Sequence, residues 1–177
     1  SMPDPLRMAV TGKVIAGLMG FTGTDANEET IIREATDNLM VLFGREIKET
    51  GLPVIADLLR HPHPAVLLAG LTFLKTKADK IRPEELSDDF IFSLLHHSYV
   101  PVREEGIALL KLQPVAVLLQ RRQGLLDACL SSFENVRNQL APLIQKMAEA
   151  DRGFGIAAAE YLMPWLLRKE TVEGLHS

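Results

Sequence analysis

The sequence predicts an all-α fold: an α-solenoid, or superhelix, of about four helical hairpins. Three observations carry that expectation. Two 18-residue stretches nearly superpose at an offset of 36 residues. Prolines, glycines and short polar residues punctuate the chain at hairpin spacing. No segment sustains the alternation of apolar and polar residues that a half-buried strand needs.

The superposable stretches are Leu58 to Lys75 and Leu94 to Lys111. They match at Leu59 and Leu95, His61 and His97, Val66 and Val102, Gly70 and Gly106, Leu74 and Leu110, and Lys75 and Lys111. A weaker third copy runs from Ala128 to Lys146, at an offset of 34 from the second. It pairs Val136-Arg137 with Val102-Arg103. Periods of 34 to 36 residues belong to stacked helical hairpins. The clearest repeats span 52–80, 87–113 and 124–150 within one domain, 3–177.

Each copy reads as a helix A, a tight break and a helix B. Leu6 to Met19 forms the first helix, closed by Gly20 and Gly23. Thr24 or Asp25 caps a long helix from about Asn27 to Glu49, stopped by Thr50-Gly51. Pro53 opens a helix over Val54 to His61. Pro64 and Pro101 suit the first turn of helix B, where a missing N–H costs nothing. In the third copy Asn135 or Ser132 stands ready to cap. Pro83 and Pro114 mark new segments. Ser87 starts a helix with Asp88 and Asp89 at its positive end. The last helix runs from about Phe154 to Lys169, with a kink expected near Pro164. The reading totals nine or ten helices and no sheet.

With 177 residues the chain is long enough for a core without metals or disulfides. Seven Phe, two Tyr and one Trp leave most packing to aliphatic residues. A net charge of −4 disfavours a globally basic nucleic-acid binder, though not a local basic patch. Cys129 is the only cysteine, which fits a reducing compartment such as the cytoplasm and a small buried apolar role. No apolar run approaches the ~20 residues of a membrane span, and no secretion signal is legible. Ser1 before Met2 reads as the remnant of a removed tag.

The V-R pairs, Val102-Arg103 and Val136-Arg137, open helix B, and the small residue Gly106 follows the first. In these features the chain resembles the HEAT and Armadillo superfamily, over Leu52 to about Lys146. Leu140 departs from the pattern in the third copy, as does Val66-Leu67 in the first. The resemblance implies a right-handed superhelix of antiparallel helix pairs with ridges open to a partner. Members share a scaffold and do unrelated jobs, so it implies no particular task.

Several features bear on chemistry. Gly70 and Gly106 at one repeat position predict close backbone approach of helices A and B, because glycine inside a helix otherwise costs about 1 kcal/mol. His61, His63, His96 and His97 gather at A–B turns. They lack the carboxylates or thiolates of a zinc site, and the plainer reading has them cap helix C-termini. Cations recur after the B helices: Lys75, Lys77, Lys80, Arg82, Lys111, Arg121 and Arg122, with Lys146 and Arg152 following the third. In a stack they would form one ridge able to hold an acidic peptide or phosphates. The plainer reading is solvated charge, partly offset by Asp79, Glu84, Glu85, Asp88 and Asp89.

Phosphate-binding GxxxxGK[ST] loops, GxGxxG and GxSxG are absent, and adjacent Glu104 and Glu105 do not face one another. The expectation is a non-catalytic protein-interaction scaffold or adaptor without cofactor or metal. Its partner would be a protein or peptide, with acidic segments among the candidates. The alternative is a nucleic-acid-binding or DNA-repair helical-repeat protein, and a third reading is a regulatory domain that docks to an enzyme. The run Trp165 to Leu175 echoes an unfinished repeat, and this end has Leu162, Trp165 and Leu166 available to expose. Self-association, or continuation in a longer parent chain, is expected at that end.

Overall fold

The computed structural model of the protein describes residues 2–23 and 25–174. Ser1, Thr24 and Leu175 lie outside the described residues, and with them the tag remnant, one proposed cap and the end of the unfinished-repeat echo. Among the described residues there are ten α-helices, two single turns of 3-10 helix and no strand. The chain divides into two compact units, Ser1–Leu86 and Ser87–Ser177.

The first unit holds α1 (Asp4–Met19), α2 (Ala26–Glu49), α3 (Leu52–Leu59) and α4 (Pro64–Lys77). Asp25 caps α2 by accepting from the Asn27 N–H, as its place before the apolar periodicity predicted. Pro53 and Pro64 sit in the first turns of α3 and α4. Helix α4 packs against both α2 and α3, and α1 packs against α2. Their inward faces supply Ile15, Ile32, Ile47, Ile55, Leu58, Phe73 and Leu74, all nearly inaccessible to solvent. The α1–α2 join is also ionic. Arg7 donates from Nε to Glu46 Oε1 at 2.7 Å and from a terminal nitrogen to the Leu42 carbonyl at 2.5 Å. The next residue, Phe43, leaves helical geometry (φ −132°, ψ 27°) where this side chain reaches into the helical ladder.

The second unit holds α5 (Asp88–Leu95), α6 (Val100–Lys111), α7 (Val115–Gln120), α8 (Arg122–Ala128), α9 (Glu134–Ala150) and α10 (Arg152–Gly174). Ser87 caps α5 through a 3.1 Å bond from the Phe90 N–H. Helix α5 pairs with α6 and α8, α9 with α6, α7, α8 and α10, and α10 also with α8. Its core includes Ile91, Leu94, Leu95, Ile107, Leu125, Val136, Leu140 and Met147. Pro142 lies inside α9 and Pro164 inside α10, and neither ends its helix.

The two glycines occupy the positions that the repeat predicts. A Cβ added to Gly70 would lie 2.7 Å from Leu58 Cβ and 3.2 Å from backbone of α3. One added to Gly106 would lie 2.8 Å from Leu94 Cβ. Leu58 and Leu94 are themselves 36 residues apart, so the same contact closes both hairpins. The third copy exchanges the sizes. Leu140 stands at the glycine position and Ala128 at the leucine position, and both are fully buried.

Candidate interaction surfaces

The A–B turns have a shared stereochemistry. His61 Nδ1 accepts from the His63 N–H at 3.1 Å, and His97 Nδ1 accepts from the Tyr99 N–H at 3.0 Å. Ser131 Oγ does the same for the Phe133 N–H at 3.1 Å, 34 residues on. These histidines therefore close the turn through Nδ1 as an acceptor, which differs from the C-terminal capping role expected of them. Ser131 also takes the place expected for Ser132 or Asn135: Phe133 is the N-cap of α9, and no side chain caps it. His96 is the C-cap residue of α5.

The arginine of the V-R pair binds the turn from the other side. Arg103 donates to the His97 and Ser98 carbonyls at 2.7 and 2.9 Å, and Arg137 donates to the Ser131 carbonyl at 2.6 Å. Arg103 also reaches the following hairpin. Its guanidinium lies 3.8 Å from the Phe133 ring centroid, and its Nε donates to Asn135 Oδ1 at 3.2 Å. The guanidinium thus serves a planar stack and a fork of donors at once. In the first copy Leu67 stands at this position, and no such clasp forms.

His63 caps α4, its Nδ1 accepting from the Ala65 N–H at 3.1 Å. That acceptor role puts the ring proton on Nε2. The buried Nε2 faces Glu28 Oε2 at 3.8 Å without a hydrogen bond. His61 Nε2 meets the Met19 carbonyl at 3.0 Å. Both rings are thereby occupied with the turn, and neither presents a free lone pair outward. Among the described residues no group of three or more His, Cys, Asp or Glu side chains could hold a metal ion. Burial pushes the Cys129 thiol up to about 11, so it stays protonated near neutrality.

The expected cation ridge divides between surface and interior. Lys75 and Lys80 are exposed in the first unit, and Lys111 and Arg122 in the second. Lys77 is buried and donates to the Lys48 carbonyl at 2.7 Å. Arg121 is buried and pairs with Asp88 at the start of α5. Those two charges satisfy the protein's own acceptors and belong to no exposed ridge. Arg82 is exposed but held by Glu85 at 3.1 Å, with Glu84 at 3.7 Å. Lys111 donates to Gln139 at 3.3 Å. Lys146 and Arg152 are exposed.

Apolar exposure is where composition alone is silent. A groove of about 470 Å³ opens between α1 and α3, walled by Met8, Gly12, Ala16 and Val54, with Glu49 and Asp57 as its charged lining. A second, of about 330 Å³, runs between α2 and α4 and is lined by Glu29, Arg33, Asp37, Leu68 and Lys75 among others. Helix α10 exposes Ile156, Met163, Trp165, Leu166 and Leu167, each more than half accessible. Among the described residues no helix is long and apolar enough to cross a membrane.

Comparison with protein-family models, curated proteins and solved structures finds no match for this chain.

Proposed function

We propose that this chain is a HEAT-like α-solenoid that works as a non-catalytic, cytoplasmic scaffold or adaptor for protein partners. The observation that carries the reading is the repeated hairpin stereochemistry. A glycine-on-leucine contact closes two hairpins at a spacing of 36, and a side-chain acceptor closes three successive turns. Within the second unit, Arg103 then ties one hairpin to the next. Repeats of this kind bury their faces on one another and leave long surfaces for recognition. Exposed grooves and apolar rows supply such surfaces, and large uncovered apolar patches mark interaction sites.

The partner class follows from charge. Lys75 and Lys80 in the first unit, and Lys111 and Arg122 in the second, remain exposed on a protein of net charge −4, and such sparse cations suit a short acidic peptide better than nucleic acid. Fluorescence anisotropy with a labelled acidic peptide, duplex DNA and single-stranded RNA, at low and physiological salt, tests the reading. The expected result is peptide binding that weakens with salt, and Lys75→Glu or Arg122→Glu weakens it further. Tight, sequence-selective DNA binding that survives physiological salt would overturn it in favour of a nucleic-acid-binding protein.

A further inference from the structure

Two apolar surfaces of the chain are left uncovered, and they complement one another. The second half of α10 carries Met163, Trp165, Leu166 and Leu167. At 100° per residue these four positions span about 200° of the helix circumference, with Arg168 in the remaining arc. An apolar face that broad is ordinarily a buried one. The first half of α10 is anchored by Phe154 and Ala158, which are buried, and by Tyr161, which donates to Asp127 at 2.5 Å. The apolar half therefore extends from a fixed base. Arg168 is exposed at its end, with its guanidinium 5.4 Å from the Trp165 ring centroid.

The groove between α1 and α3 has the opposite form. Its wall on α1 is Met8, Gly12, Ala16 and Met19, positions on one helical face. A Cβ added to Gly12 would meet nothing within 4 Å, so the backbone there is open to close approach by another helix. Val54 lines the facing wall, and Ile15 lies at the floor. Methionine side chains adapt to varied apolar shapes. The charged residues of the lining are Glu49 and Asp57, and Asp57 is paired with Arg60 at 2.6 Å. Glu49 thus leaves the rim net negative, opposite in sign to Arg168.

We infer that the Met163–Arg168 turns of one molecule dock into the α1–α3 groove of a second copy, with Trp165 and Leu166 in the groove and Arg168 beside Glu49. Such a contact is heterologous: one patch meets a different patch, and the pair keeps one free groove and one free α10. It therefore builds rings or open chains in place of a symmetric dimer. Less than two turns of helix bury well under the ~800 Å² per partner of a standard interface, so assembly is expected in the micromolar range or weaker. The inference stands apart from the proposed scaffold role, since it concerns the purified chain alone.

Complementation tests it. Sedimentation velocity of the wild type from about 5 to 500 μM is expected to show mass rising with concentration. Ala16→Glu blocks the groove and Trp165→Glu blocks the helix. Both sites are exposed, and circular dichroism and melting check that each variant stays folded. Each variant alone is expected to remain monomeric. Their equimolar mixture is expected to form a heterodimer and stop there, because one supplies the intact α10 and the other the intact groove. Glu49→Lys should weaken assembly about tenfold, and adding Arg168→Glu should restore it. A wild type monomeric throughout, or single variants that assemble like wild type, would overturn the inference. A mixture that stays monomeric would overturn the head-to-tail geometry, and Ala16→Glu assembling alone would replace it with a symmetric α10 contact.

Discussion

At Gly106 one added carbon would stand 2.8 Å from Leu94 Cβ, and at Gly70 one would stand 2.7 Å from Leu58 Cβ. Neither neighbour is the free end of a flexible side chain, so relief requires the helices to part. Gly106→Leu and Gly70→Leu are each expected to destabilise by about 1–3 kcal/mol in urea unfolding. The third hairpin suggests the remedy, with Leu140 and Ala128 at the exchanged positions. Leu94→Ala added to Gly106→Leu should recover part of the loss, and a double variant no better than the single one would show that the sizes do not compensate. These glycines were legible because they recur at one spacing. Gly124 was not: an added Cβ there would overlap the Phe92 ring, yet it has no repeat counterpart to single it out. The Arg7–Glu46 clasp was equally hidden, since 39 residues separate its halves and nothing in composition couples them. Its hydrogen bonds hold the buried Glu46 carboxyl down, from the ordinary 4.5 to about 2. A carboxylate with a depressed folded-state value stabilises above its unfolded value and loses that contribution as pH falls. The stability gap between wild type and Arg7→Met should therefore be constant above about pH 4.5 and narrow toward pH 2. A gap independent of pH from 7 to 3 would separate the effect from Glu46.

Helix boundaries followed the punctuation closely, because proline and glycine act locally. Asp25, Pro53, Pro64 and Ser87 each stand at the predicted start of a helix. Junctions without such residues were harder. The sequence between Pro114 and Ala128 folds as α7 and α8, meeting at Arg121, whose burial against Asp88 is a tertiary event. The V-R pair was legible as a pattern and not as a mechanism, since the acceptors of Arg103 lie in the turn behind it and its ring partner lies in the next hairpin. That mechanism makes a prediction for the second unit. Arg103→Lys keeps the charge but cannot both fork to two carbonyls and stack on Phe133. It is expected to cost about 2 kcal/mol, within the range of charge-assisted hydrogen bonds, here to two part-buried carbonyls. Arg137→Lys should cost less, because Arg137 shows a single bond to its turn and no ring contact. Equal losses at the two sites in thermal or urea unfolding would mean that the link to the next hairpin carries no energy.

At the scale of the whole chain the repeat read through a boundary. The copies 52–80 and 87–113 look continuous in sequence, because Pro83 resembles the prolines at every other break. The compact units nevertheless divide between Leu86 and Ser87. The segment before that boundary has little regular structure: single 3-10 turns over Ala78–Lys80 and Pro83–Glu85, with Ile81 and Arg82 extended between them. Its polar contacts include Arg82 with Glu85, and Asp79 is tied to the body of the unit by an ion pair with Lys48 at 3.6 Å, between two partly or largely exposed side chains. Proteases need a locally extended chain, and exposed connectors yield one at low cost. Lys80 is exposed and its peptide bond leads into the extended pair, whereas Arg82 precedes a proline, which trypsin cuts poorly. Arg60 is the main competing site, but the turn after it is tied by His61 to Met19 and to His63. Brief trypsin treatment is therefore expected to split the chain first after Lys80, giving fragments 1–80 and 81–177 by mass spectrometry. Replacing Lys80 with Gln should slow the appearance of both fragments without changing the melting temperature. A first split at Arg60, or at sites inside the long helices, would show that the turns open more readily than the connector.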